Sequence, residues 1–248
     1  PGLGQSLAGN RPFFLGRFPA PMQQHRFGRA HLFGDCPVAL GLLGLLTQPV
    51  QLAFQRLQHV FQPFEIGFRR PQTQLRLAAA GIPIHEGYDP AHLDPAPDLV
   101  VVGNACVPTH PEAAAARERG LTQASLPEAL AHLFLSRRQP AVVAGTHGKT
   151  TTTGLLTHVL READLDPGFL VGGVIVGEER TAGTGTGPVF CVEGDEYDSA
   201  YFDKGPKFVH YQPAASIITS VEFDHADIYR DVEHVKSSFA RLVELLPE

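Results

Sequence analysis

The sequence predicts an α/β protein built on parallel sheets, and three observations carry that expectation. Short β-branched runs, above all Asp98–Gly103 (Asp-Leu-Val-Val-Val-Gly), read as strands buried on both faces. Ala- and Leu-rich segments alternate with those runs, and such alternation implies right-handed crossovers between parallel strands. A glycine-bracketed turn at 145–151, Gly-Thr-His-Gly-Lys-Thr-Thr, stands between a strand pattern and a helix pattern.

The first 75 residues are of a different character from the rest. They hold seven arginines, no lysine and two acids, a net +5, whereas the remaining residues of the 248 sum to −11. Pro and Gly interrupt nearly every window. Val38–Leu46 suits a short apolar helix or a buried strand, and Leu52, Phe54, Leu57, Val60 and Phe61 give Val50–Phe61 a rough helical face. The segment 1–75 is left unassigned, a non-native or disordered stretch being the reading its composition suggests.

From residue 76 the pattern is orderly. Gln74–Ala80 reads as a helix end, with Gly81 as its C′ stop. Ile82–His85 is a short strand, Tyr88–Leu93 a turn, Asp98–Gly103 a buried strand and Pro111–Arg119 an Ala-rich helix. Ser125 with Glu128 three residues on forms a capping-box pattern opening Leu126–Leu135. Arg137-Arg138-Gln139-Pro140 reads as a linker. Pro140–Ala144 is a buried strand, Thr150–Ala163 a helix, Phe169–Val176 strand-like and Thr181–Pro188 a flexible connection. Val189–Glu193 and Ala215–Ser220 are strands that run straight into acids, and Val232–Leu246 is helical.

Composition excludes several classes. There is no run of 18 uncharged apolar residues, so no membrane-spanning helix is expected. Cys36, Cys106 and Cys191 are scattered and odd in number, which fits neither a disulfide framework nor a zinc site and suits a reducing cytoplasm. The net charge of −6 argues against a nucleic-acid partner.

Three clusters carry chemistry. In the first, Gly145 and Gly148 let the backbone turn its N–H groups toward phosphate oxygens at a helix N-terminus. Lys149 supplies a point charge for β- and γ-phosphates, and the Thr150 hydroxyl suits a magnesium shell. The long form of this loop needs glycine at 143, where this chain has Val143. The second cluster is Glu193-Gly194-Asp195-Glu196-Tyr197-Asp198, directly after a strand, where α/β proteins place ligands. Glu193, nearest the strand, is the candidate magnesium ligand. Asp195, Glu196 and Asp198 read equally well as a solvated acidic loop. The third is Glu222-Phe223-Asp224-His225-Ala226-Asp227, again after a strand. Magnesium prefers oxygen, so on chemistry alone His225 reads as structural.

Together these residues resemble the Mur ligases, which make peptidoglycan precursors. The resemblance rests on Gly145–Thr152, the Glu193 cluster and Asp224-His225-Ala226-Asp227-Ile228-Tyr229, in the family's order and spacing. The family's loop is the shorter Gly-Thr-x-Gly-Lys-Thr form, which accommodates Val143. Asp195–Lys204, Lys207-Phe208-Val209-His210-Tyr211 and Glu222–His225 are similar to one branch, which joins UDP-N-acetylmuramate to the recycled tripeptide L-alanyl-γ-D-glutamyl-meso-diaminopimelate. Gly81–Tyr88 and Val100–Ala105 resemble the latter half of that branch's UDP-sugar-binding domain. The resemblance covers roughly residues 72–248.

It implies a partial Rossmann-like domain over 76–138 and a partial P-loop central domain over 139–248, with the C-terminal domain absent. It implies ATP and Mg2+ as cofactors, a bacterial cytoplasmic setting, no membrane attachment and no obligate protein partner. Gly145, Thr146, His147, Gly148, Lys149, Thr150 and Thr151 would contact nucleotide. Lys149, Glu193 and His225 would be catalytic, Thr150 and Glu193 holding one magnesium and His225 helping to hold another. The implied reaction passes through an acyl phosphate. The family's opening Gly-rich turn has only a poor counterpart in Gly41-Leu42-Leu43-Gly44. The expectation is therefore an incomplete chain, inactive in ligation by itself. The alternatives are the ligase that adds L-alanine to the same sugar nucleotide, and a non-catalytic nucleotide-binding remnant.

Overall fold

The computed structural model describes residues 30–33, 58–61, 81, 83–173, 175, 180–223 and 229–248. Val38–Leu46, Gly41–Gly44 and Gln74–Ala80 lie outside them, as does Val50–Phe61 up to residue 57. Strands β1 (Ala30–Phe33), β2 (Gln58–Phe61), β3 (Ile84–Glu86), β4 (Leu99–Val102) and β5 (Gln123–Ser125) form one sheet in the order β3-β2-β1-β4-β5. Every pairing in it is parallel. Sequence order reverses between β1 and β4, the switch point of a Rossmann-like, doubly wound sheet.

Two strands thus come from the segment left unassigned by composition. The helical spacing read over Val50–Phe61 gives way at 58–61 to β2, which has a parallel partner on each side. Ladder pairing outweighs a weak local period there. The short β5, Gln-Ala-Ser, went unforeseen because it offers no β-branched run.

β4 is buried along its whole length, as its Leu-Val-Val-Val run predicts. Helix α1 (Pro111–Glu118) starts with proline, whose missing N–H costs nothing there, and sets Ala113, Ala115 and Ala116 against Leu93, Val100, Val102 and Cys106. Gly81 has φ +69°, the conformation of a helix stop. The Ser125 box forms as read: the Ser125 hydroxyl accepts from Glu128 N–H, and the Glu128 carboxylate accepts from Ser125 N–H at 2.7 Å. It opens α2 (Leu126–Leu130), which runs on as a wider turn to Leu135.

The second sheet contains β6 (Gln139–Ala144), β7 (Gly168–Leu170), β8 (Ala182–Gly183) and β9 (Val189–Gly194). A separate hairpin, β10 (Asp198–Ala200) and β11 (Asp203–Pro206), precedes β12 (Ala215–Ile218). The order is β12-β6-β9-β7-β8, parallel except for β8. Gln139, read as linker, is already in β6. Thr181–Pro188, read as flexible, contains β8 and is held from two sides. Arg138 donates to the carbonyls of Gly185 and Gly187, and Asp166 accepts from the Thr186 amide and hydroxyl.

Alternation along β6 and β9 serves two cores. Val142, Ala144, Phe190 and Val192 meet Phe208, Tyr229 and helix α4 (Val232–Glu244) through Val235, Phe239 and Leu242. Cys191 joins Phe169 and Val171 on the other face, under α3 (Lys149–Glu162). Leu130 and Leu135 enter the first of these cores, so the α2 segment ties the sheets together. Tyr201, at the tip of the β10–β11 hairpin, makes a second tie. Its ring packs on the first sheet's core, its hydroxyl accepts from Arg117 at 2.8 Å and it donates to Gln123 at 3.3 Å.

One buried charge stands out in the first unit. Glu112 is fully buried, 2.7 Å from His92 Nδ1. Burial pushes its carboxyl up from 4.5 to about 7, against the opposing pull of His92. The folded chain therefore binds this proton more tightly than the unfolded chain does. Its stability contribution is full below about pH 4.5 and is lost as pH rises toward about 7. Glu112→Gln should flatten that decline, whose size is roughly 3 kcal/mol, in urea unfolding across this pH range. Tyr201→Phe removes both hydroxyl contacts and should lower unfolding stability by about 1 to 2 kcal/mol; an unchanged urea midpoint would show this tie to be idle.

Candidate active site

β12, β6 and β9 are adjacent and parallel, so their C-terminal ends lie side by side. Three segments therefore converge at this edge: the 145–151 turn after β6, the acids after β9, and Thr219–Glu222 after β12. Gly145 has φ +135°, and a Cβ there would stand 2.1 Å from Thr219 Oγ1 and 2.9 Å from Ser220 N. No other residue fits without moving β12. Gly148, with φ +80°, caps α3 with no side-chain hydrogen bond to its first turn. That leaves the first N–H groups of α3 and the positive end of the helix dipole to a ligand.

The turn is stitched to β12. Thr146 N–H donates to the Ser220 carbonyl at 3.0 Å, and its hydroxyl accepts from Glu222 N–H at 3.0 Å. His147 N–H donates to the Ser220 hydroxyl, and Thr219 donates to the His147 carbonyl. The His147 ring is exposed, 3.9 Å from Glu222, and Thr151 is exposed on the first turn of α3. Sequence reading missed Thr219 and Ser220. Their position at the end of the neighbouring strand was the signal.

Lys149 bends back over the turn. Its ammonium donates to the carbonyl of Gly145 at 2.6 Å and to Glu196 Oε2 at 2.9 Å. Both side chains are shielded, Glu196 almost completely. The Thr150 hydroxyl donates to Glu193 Oε2 at 3.1 Å, and Gly172 N–H donates to Glu193 Oε1 at 2.5 Å. Burial raises the Glu193 carboxyl above its usual range, with Asp195 adding to the rise, while the Gly172, Thr150 and Lys149 contacts oppose it.

The acids after β9 are individually paired, not a solvated loop. Asp195 accepts from Lys207 at 2.9 Å, and that ammonium sits 4.2 Å from the Tyr197 ring centre. Asp198 accepts from Lys204 at 2.7 Å. The buried Tyr229 hydroxyl donates to the Glu196 carbonyl. Glu196, which sequence reading weighed as solvent-facing charge, is turned inward to Lys149.

The donor set fits a triphosphate with a hard cation: a glycine turn, a helix start without a side-chain cap, a lysine, and a hydroxyl beside a carboxylate. Thr150 and Glu193 are the two described oxygen donors of the expected metal set. His225 lies outside the described residues, with its neighbours Asp224 and Asp227. Among the described residues no three His, Cys, Asp or Glu side chains converge as a metal cluster.

Comparison with known proteins agrees with this geometry. The family model for the Mur ligase family, catalytic domain, matches residues 68–138. The UDP-N-acetylmuramate–L-alanyl-γ-D-glutamyl-meso-2,6-diaminoheptandioate ligase of Escherichia coli (strain K12) is 39% identical over 219 residues, 88% of this chain and 46% of that protein. A UDP-N-acetylmuramate–L-alanine ligase of Methylobacillus flagellatus is 38% identical over 177 residues, 71% of this chain and 35% of that protein. The crystal structure of the UDP-N-acetylmuramate:L-alanyl-γ-D-glutamyl-meso-diaminopimelate ligase from Neisseria meningitides superposes with a TM-score of 0.79 at 34% identity, over 89% of this chain and 69% of that one. This chain thus spans about half the length of the Escherichia coli relative. A match over 219 of 248 residues reaches residue 30 or earlier, so likeness extends well into the basic segment.

Gly145→Ala should destabilise the protein by about 2 kcal/mol or more, because the new methyl group meets β12 at a strained backbone angle. Thermal unfolding checks this; wild-type stability in the variant would mean that the turn is not seated against β12.

Proposed function

This chain belongs to the Mur ligase family, and we propose that it carries the ATP-binding and sugar-nucleotide-binding portions of a ligase joining UDP-N-acetylmuramate to the tripeptide L-alanyl-γ-D-glutamyl-meso-diaminopimelate. One observation carries the proposal: Lys149, Thr150 and Glu193 meet at the glycine turn, with Thr150 3.1 Å from Glu193. ATP with Mg2+, when bound, would supply the phosphoryl group that converts the sugar's carboxylate into an acyl phosphate, from which the tripeptide amine would displace inorganic phosphate.

The chain's own residues hold that chemistry in place. The Gly148 turn and the start of α3 would cradle phosphate oxygens. Lys149 offsets the charge of the β- and γ-phosphates. Thr150 and Glu193 would hold the metal, and the Gly172 amide orients Glu193 for it. The tight seating of the turn on β12 keeps these donors at fixed positions, which is how such sites stabilise developing charge. His225 would assist a second metal, on the resemblance of Asp224–Tyr229 to the family alone.

The tripeptide ligases of Escherichia coli and Neisseria meningitides, 39% and 34% identical over 88% and 89% of this chain, support the amine assigned. Both nucleotide substrates are intracellular, which supports a cytoplasmic setting. No helix among the described residues is long and apolar enough to cross a membrane.

Calorimetry with a nonhydrolysable ATP analogue and Mg2+ should give saturable binding, weakened at least about tenfold in Lys149→Ala. Absence of binding by folded wild-type protein would overturn the ATP site. In a ligation assay on the full-length ligase that contains this chain, offering both amines, product should form with the tripeptide. Product with L-alanine alone would keep the ATP site and replace the amine.

A further inference from the structure

Lys149 carries the proposed phosphate site, yet its ammonium is already engaged. Nζ lies 2.6 Å from the Gly145 carbonyl, 3.4 Å from the Thr146 carbonyl and 2.9 Å from Glu196 Oε2. An ammonium has three protons, and three acceptors surround this one. A phosphate oxygen reaching the turn must therefore displace one of them.

The two carbonyls cannot readily yield. Gly145 is packed within a methyl group's reach of Thr219 and Ser220, and Thr146 is bonded to β12's trailing segment by its amide and its hydroxyl. Glu196 differs. Its carboxylate is on a rotatable side chain, while its backbone carbonyl is separately held by Tyr229. Release of the carboxylate does not require the chain to move. It is also the one acceptor of the three with a full negative charge, so it repels an incoming polyphosphate for as long as it remains. Its neighbour Asp195 is occupied by Lys207 at 2.9 Å and is not positioned to replace it.

Resting on the ATP-site reading above, we propose that Glu196 is a gate on Lys149: it neutralises the buried ammonium while the turn is empty, and a polyphosphate must displace it to bind. The side chains of the pair are 12% and 2% exposed, so the exchange occurs where solvent screens little. Glu196 compensates a charge that would otherwise be stranded, and it sets a threshold. A ligand rich in phosphate charge replaces the carboxylate as counter-ion. A monophosphate, which does not extend to Lys149, gains nothing from the exchange. Glu196 is thus a positioning residue that acts through Lys149.

The test compares wild type with Glu196→Gln, which keeps the shape and removes the charge. Calorimetry would use a nonhydrolysable ATP analogue, inorganic tripolyphosphate and adenosine monophosphate. The variant should bind the analogue and tripolyphosphate about tenfold more tightly, with monophosphate affinity unchanged. A purely structural role would weaken all three together. Equal or weaker polyphosphate binding by the folded variant overturns the gate. If wild type binds the analogue and the variant gains nothing, the gate falls and the ATP site stands. If neither binds, both fall. Should Glu196→Gln fail to fold, Glu196→Asp retains the charge but draws it back by one methylene. It should gain about threefold for polyphosphates alone, and no gain there overturns the gate equally.

Discussion

Everything at the candidate site depends on the parallel register of β12, β6 and β9. Parallel neighbours end on the same edge, so three segments far apart in sequence are delivered to one place. Ala144 pairs with Gly194 on one side and with Ile218 on the other. The residues after each are the phosphate turn, the inward-facing acids and the Thr219–Glu222 stretch. A shift of one residue in either pairing would carry Glu193 away from Thr150 and Thr219 away from Gly145. The absence of space for a methyl group at Gly145 is the local expression of that register.

The same register decides which residues were legible in the sequence. The turn itself was legible because its pattern is written consecutively: glycines for the backbone reversal, then Lys149 and Thr150 opening a helix. Glu193 was legible because a strand pattern stops beside it. The buried strands Asp98–Gly103 and Pro140–Ala144 and the Ser125–Glu128 box were legible for the same local reason. Glu196 was not, because whether an acid after a strand faces solvent or a lysine 47 positions away depends on packing that no local period encodes. β5 and β8 were missed because they are too short for a period to register, and each exists by virtue of the strand it pairs with. The first 75 residues misled through composition. Charge and residue usage suggested a separate stretch, yet two of its short segments stand as central strands of the first sheet.

The two sheets are also joined by chemistry that composition gave no hint of. The hairpin after the acids carries Tyr201 onto Arg117 and Gln123, residues of the first unit. Tyr201 lies only five positions beyond Glu196 in the chain. The segment that faces the glycine turn at one end therefore touches the first unit at the other. On the function proposed above, a carboxylate held by one unit would have to meet a phosphorus held by the other, and positioning of that sort is worth far more than a surface contact.

The charge arrangement obeys the same constraint. The end of β9 gathers Glu193, Asp195, Glu196 and Asp198 within a few residues of one another beside the candidate site. Left unpaired, they would exclude the ligand. The chain meets this by giving each a distinct partner: Thr150 and the Gly172 amide for Glu193, Lys207 for Asp195, Lys149 for Glu196 and Lys204 for Asp198. Lys149 is the lysine proposed above to meet phosphate, and on that proposal its bond to Glu196, an acid that looked like surface charge, is the one a ligand must break.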